Sequence, residues 1–469
     1  MNRNNFLIHL ALAIVLILIA AFAGQLNRWR KEWKGRVGPI PAADKKRPSS
    51  AAEMALGDAR LPGRPEVLVK FRPGVSITRI EELTLGFHDQ VEDRLENVPG
   101  WQSIDDLDDA DAYTTVAQYL ALPEVEYAEP NMEIQLPDAV ESSLLPVLPA
   151  DPRFEEQWAL ANSGQRGGTK GADISATLAW ATTTGDDDIV VAVLDSGVDY
   201  THEDLAPNMW KRPASVAVYH DAELGTVDDE DGFNAIDNAS DPMDENGHGT
   251  HCAGIIGAEG GNNLGITGVN WKVRIMPLKF MNAGGYGTTK DAIEAINYVI
   301  NRKKAGVNVR IISASWGSTQ KSRALEDAIR NAYENDILFV AASGNATTDN
   351  DRRPHYPSSY NVPNVVSVAA LDRNDQLTSF SNYGLKSVMI AAPGKDILST
   401  WLGNSYEEKS GTSMATPVVS GVAALIVAEN PRITVDQLKK RLLASVDPLP
   451  GLKGKLVTGG RVNAAKAVN

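Results

Sequence analysis

The chain has 469 residues, 43% of them hydrophobic, which is enough for one large domain plus a smaller one and excludes a disordered protein. Its formal net charge of -15 argues against nucleic acid as a partner, because phosphate binding needs a concentrated basic face; surplus carboxylates are instead raw material for calcium sites. The single cysteine, Cys252, cannot form an internal disulfide.

After MNRNN comes FLIHLALAIVLILIAAFA, an apolar run from Phe6 to Ala23 that ends in a small-x-small pattern. That ending suits signal-peptidase cleavage. The run is also long enough to span a membrane, and the basic RWRKEWKGR behind it resists translocation. Residues 1–24 thus read as a signal peptide or a membrane anchor, which sends the protein out of the cell, to the envelope, or leaves it tethered. Residues 25–63, basic and then rich in Pro, Ala and Gly, read as a linker.

Within 64–137, EVLVKF is a strand pattern, TRIEELTLGF and TTVAQYLAL are helical, and a further strand falls at VEYAEP. This β-α…α-β rhythm predicts a small α+β unit of the ferredoxin type. Residues 138–150 form a second linker. From Asp151 to Asn469 the pattern changes. IVVAVL, VRIISA, ILFVAA and VVSVAA are nearly continuous apolar runs of strand length, as expected of strands buried on both faces. Helical stretches such as TKDAIEAINYVINRKKAG lie between them, which predicts one α/β domain with a mostly parallel sheet. Ligands of such sheets bind beyond the carboxyl ends of the strands.

The residues at those ends have bland readings one at a time. Asp195 after IVVAVL suits a cap or turn, Asn345 after Ser343-Gly344 a turn, and Ser413 in SGTSMATP the first turn of a helix in which an early Pro417 is tolerated. Read alone, DENGHGTHCAG allows three chemistries: a metal site on His248, His251 and Cys252, a thiol nucleophile, or one base among bystanders. Its H-x-x-H-C spacing lacks the i, i+4 pair and the glutamate of a zinc helix, and a cysteine in the apolar AGIIGA context is more often inert packing.

Taken together, VAVLDSGVDYTHEDL, NGHGTHCAG, AASGN and SGTSMATP resemble the subtilisin-like serine proteases, on their thermitase and proteinase K side, in the order Asp…His…Ser. The resemblance runs from about Asp151 to the C-terminus and implies a three-layer fold. It implies Ser413 as nucleophile, His248 as general base, Asp195 as the group that orients it, and Asn345 with the Ser413 backbone N–H as the oxyanion site. Ser315, Trp316 and Gly317 would pair with an extended peptide, facing Ala342, Ser343 and Gly344 across the pocket for the residue before the cut. Trp316 stands where a smaller apolar residue is common, and core packing is its alternative. Broad specificity with an apolar or aromatic bias is expected. A calcium ion would be held by Asp151, Asp204, Asn262 and the carbonyls of Leu264 and Ile266, and a second by Asn234, Asp237 and Asp241. VLVKFRPGVS and LPEVEYAEPNMEIQL resemble the inhibitory propeptide of such zymogens, with self-cleavage expected between Gln135 and Ala150. The partners implied are polypeptide substrates and the chain's own propeptide, and the mature enzyme is expected to be a monomer. A non-catalytic binding protein on the same fold is the remaining alternative.

Overall fold

The computed structural model describes residues 67–95, 99–108, 110–131, 145–221, 225–236 and 241–469. The N-terminal apolar run, the first linker, most of the second and Asp237 lie outside these residues. The chain divides into two compact units, Met1–Ala139 and Val140–Asn469.

The first unit runs β1 (Val67–Phe71), α1 (Ile77–Gly86), β2 (Asp89–Arg94), β3 (Trp101–Asp106), α2 (Ala112–Leu120), β4 (Val125–Pro130). Its four strands form an antiparallel sheet in the order β2-β3-β1-β4, the arrangement of a split βαβ unit. Both helices start on side-chain caps: Ser76 accepts from the Arg79 N–H, and Asp111 from those of Tyr113 and Thr114. Val67, Val69 and Phe71 of β1 alternate inward against Ile104 and Tyr119. The strands β2 and β3 were not legible in the sequence. DQVEDR buries little more than Asp89, so it carries no apolar period to read.

The second unit begins on the described residues 145–150, where the Val147 N–H donates to the Thr177 carbonyl at 2.8 Å. Its elements are α3 (Ala176–Ala179), β5 (Gly185–Asp195), the hairpin of β6 (Tyr219–Asp221) and β7 (Gly225–Val227), β8 (Phe233–Asn234), α4 (His248–Gly257) and β9 (Lys272–Lys279). Next come α5 (Thr289–Lys304), β10 (Val309–Ala314), α6 (Arg323–Glu334), β11 (Leu338–Ala342), β12 (Val365–Leu371) and β13 (Ile390–Pro393). The hairpin of β14 (Ile397–Trp401) and β15 (Ser405–Lys409) leads to α7 (Thr412–Glu429), α8 (Val435–Ala444), β16 (Val446–Pro448), β17 (Gly460–Val462) and α9 (Ala464–Val468).

Nine strands make one sheet in the order β16-β17-β13-β12-β11-β10-β5-β9-β8, parallel except for the β16–β17 pair. Both faces are covered. Val191 and Val193 of β5 join Ile255 of α4 and Val418 of α7 in one core, while Val190, Ala192 and Leu194 join Ile296 of α5 and Ile329 of α6 in the other. That two-sided burial is why these strands read as unbroken apolar runs. The α7 helix is long and apolar enough to cross a membrane, but 83% of it is buried inside the unit as a core helix. Five strands of the sheet escaped the sequence reading, β8, β9, β13, β16 and β17. The longest of them, β9 (KVRIMPLK), breaks its apolar run with Lys272, Arg274 and Pro277. The proline is tolerated because β8 pairs with β9 only at Leu278 and Lys279, leaving Pro277 beside an open edge.

Candidate active site

Three neighbouring parallel strands, β11, β10 and β5, end on the same edge of the sheet. They deliver Ala342–Asn345, Ser315–Gly317 and Asp195 to that edge, while α4 and α7 begin there with His248 and Ser413. The residues expected to act together are therefore brought together by sheet topology, although they are scattered along the chain.

The His248 Nδ1 lies 2.7 Å from Asp195 Oδ1, and the same oxygen accepts the Ser196 N–H at 2.8 Å. The carboxylate is 1% exposed and the imidazole 31%, so the base opens to solvent while its partner does not. Burial works against a charged ring, but the charge and hydrogen bond of Asp195, aided by the charge of Asp244, outweigh it and hold the His248 pKa above its ordinary value.

Asp244 is a residue that sequence reasoning missed. Its Oδ1 accepts the N–H groups of Asn246 and Gly247 and the Ser196 hydroxyl, and its Oδ2 accepts the Thr250 N–H and hydroxyl. Ser196 Oγ in turn accepts the Gly249 N–H at 3.0 Å. This knot fixes the turn that starts α4, and an Asp shortly before a helix was the available signal. Gly249 is a space requirement: a Cβ on it would lie 2.0 Å from the Gly197 carbonyl oxygen and 3.1 Å from Asp195 Cβ.

The Ser413 hydroxyl donates to the Ser315 carbonyl at 2.9 Å, and among the described residues no hydrogen bond joins it to His248. Catalytic hydrogen bonds are often loose without substrate, and one rotation about χ1 redirects a hydroxyl. The Pro417 expected near the helix start lies inside α7, which corrects the sequence reading. Lacking an N–H, it cannot take the carbonyl of Ser413, four residues back. That carbonyl instead accepts the Ser315 hydroxyl at 2.8 Å and the Cys252 thiol at 3.5 Å. The helix break beside the serine is thus filled by two neighbours of the site.

Cys252 is 1% exposed, and burial pushes its thiol pKa well up, away from nucleophile chemistry. Its sulfur, an Asp195 oxygen and a His248 nitrogen lie within 4.8 Å of one another, yet two of the three already serve the Asp–His pair. His251 is fully buried, with Nε2 at 3.1 Å from the Ile397 carbonyl oxygen and 3.0 Å from that of Glu407. Burial pushes its pKa down to about 3, so it stays neutral and ties α4 to the β14–β15 hairpin.

Asn345 is exposed, and its orientation is set by Thr412, whose N–H and hydroxyl both donate to Asn345 Oδ1 at 2.9 Å. Nδ2 points its hydrogens elsewhere, and a Cβ on Gly411 would sit 3.4 Å from it. Thr412 Oγ1 also accepts the Gly344 N–H at 3.2 Å, coupling the end of β11 to the start of α7. The Asn345 side-chain amide and the N-terminal N–H of α7 at Ser413 are donors of the kind that suits a developing oxyanion.

Ser315 and Ser343 are buried, and Gly317 is exposed. Trp316 is half-buried: its Nε1–H donates to the Leu194 carbonyl at 2.9 Å and its ring packs on Phe280 with centroids 4.8 Å apart. Packing therefore accounts for much of this residue, which braces the strand end that carries Asp195.

The expected calcium ligands gather around one loop. Asp151 and Asp204 are both buried; Asp151 Oδ2 accepts the Gly261 N–H at 2.6 Å, while its Oδ1 has no partner among the described residues. Burial, opposed by the Gly261 N–H and reinforced by the Asp204 charge, raises the Asp151 pKa. Asp204 accepts Asn262 Nδ2, the Ile266 N–H and the Tyr406 hydroxyl. An orphaned oxygen and two buried carboxylates that repel each other fit a hard cation. Leu264 and Ile266 lie on the same loop. Asn234 and Asp241 lie elsewhere, before α4, and Asp241 accepts the Tyr200 hydroxyl at 3.2 Å.

Comparison with known proteins gives the family of this chain. Residues 186–462 match the model of the subtilase family, peptidase S8. A thermophilic serine proteinase of Bacillus sp. (strain AK1) is 35% identical over 347 residues, 74% of this chain and 73% of that protein. Thermitase of Thermoactinomyces vulgaris is 35% identical over 320 residues, 68% of this chain and 99% of thermitase. A solved protease structure from Pseudoalteromonas arctica superposes with a TM-score of 0.56 at 28% identity, covering 68% of this chain and 98% of that one. The chain belongs to the subtilase family and is a serine-type endopeptidase.

Proposed function

We propose that the protein hydrolyses peptide bonds through Asp195, His248 and Ser413 with an acyl-enzyme intermediate, and that it is made as a self-processing zymogen. The observation that carries this reading is the 2.7 Å pair of the buried Asp195 carboxylate and the solvent-open His248 imidazole, on the strand-end edge where Ser413 lies in the first turn of α7. Ser413 Oγ attacks the carbonyl while His248 Nε2 takes its proton, then returns it to the leaving amine; general acid–base catalysis of this kind supplies roughly 10²–10⁴-fold. Asp195 keeps Nδ1 protonated and stabilises the imidazolium. Asn345 Nδ2 and the Ser413 N–H bind the tetrahedral oxyanion.

An extended peptide lies between Ser315–Gly317 and Ala342–Gly344, held mainly by main-chain hydrogen bonds, which favours broad specificity over sequence readout. Asp151, Asp204, Asn262 and the carbonyls of Leu264 and Ile266 hold a calcium ion, which supplies structural charge compensation and takes no part in the reaction. The pair Asn234 and Asp241, with Asp237, is the weaker candidate for a second ion.

The first unit acts as the inhibitory propeptide. Because the Val147 N–H is hydrogen-bonded to Thr177 of the catalytic unit, the processing bond falls between Gln135 and Val147, and cleavage there separates the exported mature enzyme from the N-terminal run, whether that run is a signal peptide or an anchor. Replacing Ser413 by Ala tests the scheme: the full-length chain should persist where the wild type yields a fragment of mature size. A mature-sized fragment from purified S413A would make another protease responsible for processing.

A further inference from the structure

We propose that Lys279 is a positioning residue for the general base: from the end of β9 its ammonium clamps the turn that delivers His248 and keeps that turn in register with Asp195. The proposal rests on the reading of Asp195, His248 and Ser413 as the catalytic groups, and it adds to them a residue that acts only through the turn.

Lys279 closes β9 opposite Asp195, the last residue of β5, in parallel register. The two main chains are locked together here: the Phe280 and Met281 N–H groups both donate to the Asp195 carbonyl, at 3.0 and 3.3 Å, and Ser196 pairs with Lys279 in an isolated bridge. The Lys279 side chain is only 7% exposed, which is costly for an ammonium unless acceptors meet it. Two do. Its Nζ donates to the Met243 carbonyl at 2.8 Å and to Glu245 Oε2 at 2.8 Å. These residues flank Asp244, the carboxylate whose hydrogen bonds fix the start of α4. One lysine thus holds the strand end that carries Asp195 by its main chain and the turn that carries His248 by its side chain.

The turn lies close against the extension of β5. The Val198 N–H donates to the Pro242 carbonyl at 3.0 Å, and a Cβ on Gly197 would lie 2.3 Å from that oxygen and 3.1 Å from both the Met243 carbonyl carbon and the Asp244 nitrogen. The Met243–Asp244 peptide therefore rests on Gly197, while Lys279 holds its carbonyl from the neighbouring strand. A second tie runs the same way, from Asn246 Nδ2 to the Ala283 carbonyl in the loop after β9, at 2.9 Å. Asp244 shapes the turn from within; Lys279 fixes where the whole turn stands relative to the strand ends. The distance at stake is the 2.7 Å between Asp195 Oδ1 and His248 Nδ1, whose two backbones Lys279 spans. An apolar residue at this position would fill the space and hold neither acceptor.

The test is kcat and KM of the mature enzyme on one tetrapeptide p-nitroanilide, for wild type, Lys279→Met, Lys279→Arg and Glu245→Ala. Methionine keeps the length of the side chain and has no donor. Its kcat should fall by about 10- to 100-fold with KM within about threefold of wild type, because a base misplaced by about 1 Å costs up to ~10²-fold while the peptide-binding segments are untouched. Arginine restores a charged donor and should bring kcat back to within about threefold of wild type, a rescue that a packing role would not give. Glu245 is 64% exposed, so truncating it spares the fold. Losing one of the two contacts should lower kcat by about threefold at unchanged KM. A folded methionine variant with wild-type kcat overturns the proposal, and so does a folded arginine variant as slow as the methionine one. Should the methionine variant fail to fold, Glu245→Ala decides alone, and wild-type kcat there overturns it. A wild-type enzyme that cleaves no peptide would overturn the reading of the triad itself, a different result from a variant that fails to slow.

Discussion

In the proposed mechanism Asp195 does two jobs for one imidazole, and a single substitution separates them. The His248 pKa stands above 6.5 because the Asp195 charge and hydrogen bond outweigh the burial of the ring. The ring must be neutral to accept a proton, so kcat/KM should rise as pH climbs through that raised pKa. In Asp195→Asn the burial is far less opposed, so the limb should move to lower pH while kcat falls by about 10⁴ from loss of the correct tautomer. A pH profile whose limb stays put would remove Asp195 from this role. The stability linkage has the opposite sense: the raised pKa stabilises the fold fully below the unfolded value and is lost as pH rises through the folded one. Asn345→Ala should lower kcat by about 10²–10³ with KM changed only a few-fold, because in the proposed mechanism its amide bonds an oxygen that is charged only in the transition state. An equal rise in KM would mean that Asn345 binds substrate instead. At this scale the sequence offered its strongest candidates as local strings, at Asp195, His248, Asn345 and Ser413. It was silent on Asp244 and Thr412, whose contacts reach Ser196, Gly344 and Asn345, distant in the chain.

Elements were legible where two-sided burial ran long enough to leave an unbroken apolar string; the short β13 and β17 are just as buried and left none. The strands β5, β10, β11 and β12 are apolar on both faces, and their runs announced them; β9 hides behind a lysine, an arginine and a proline, and β2 is almost wholly polar. Pro417 looked like a harmless early residue of α7 and is instead the reason that the Ser413 carbonyl bonds Ser315 and Cys252. No local pattern could show that, because the compensating groups come from two other elements. The loop at 259–266 carries the element-scale prediction. With calcium removed, Asp151 and Asp204 keep their burial and lose their counter-charge. Chelation with EDTA should therefore lower the Tm of the mature enzyme by at least about 5 °C, since an ion present at 100 times its Kd contributes about 2.7 kcal/mol. A Tm indifferent to EDTA, and to Asp204→Asn, would take the ion out of the account.

At the scale of the whole molecule, sheet topology converts a scattered sequence into one site. Parallel order places the ends of β5, β10 and β11 side by side, and the starts of α4 and α7 close the constellation. Fold class could be read from alternating apolar runs and helices, but strand order could not, since it is set by long-range pairing. The central claim is that Ser413 is the nucleophile of this constellation. A serine-directed fluorophosphonate added to the mature enzyme, followed by peptide mapping, tests it most directly. One adduct on Ser413, formed in step with loss of peptidase activity and absent in Ser413→Ala, is the predicted result; full peptidase activity in the labelled enzyme, or an inactivating adduct on another residue, would contradict it.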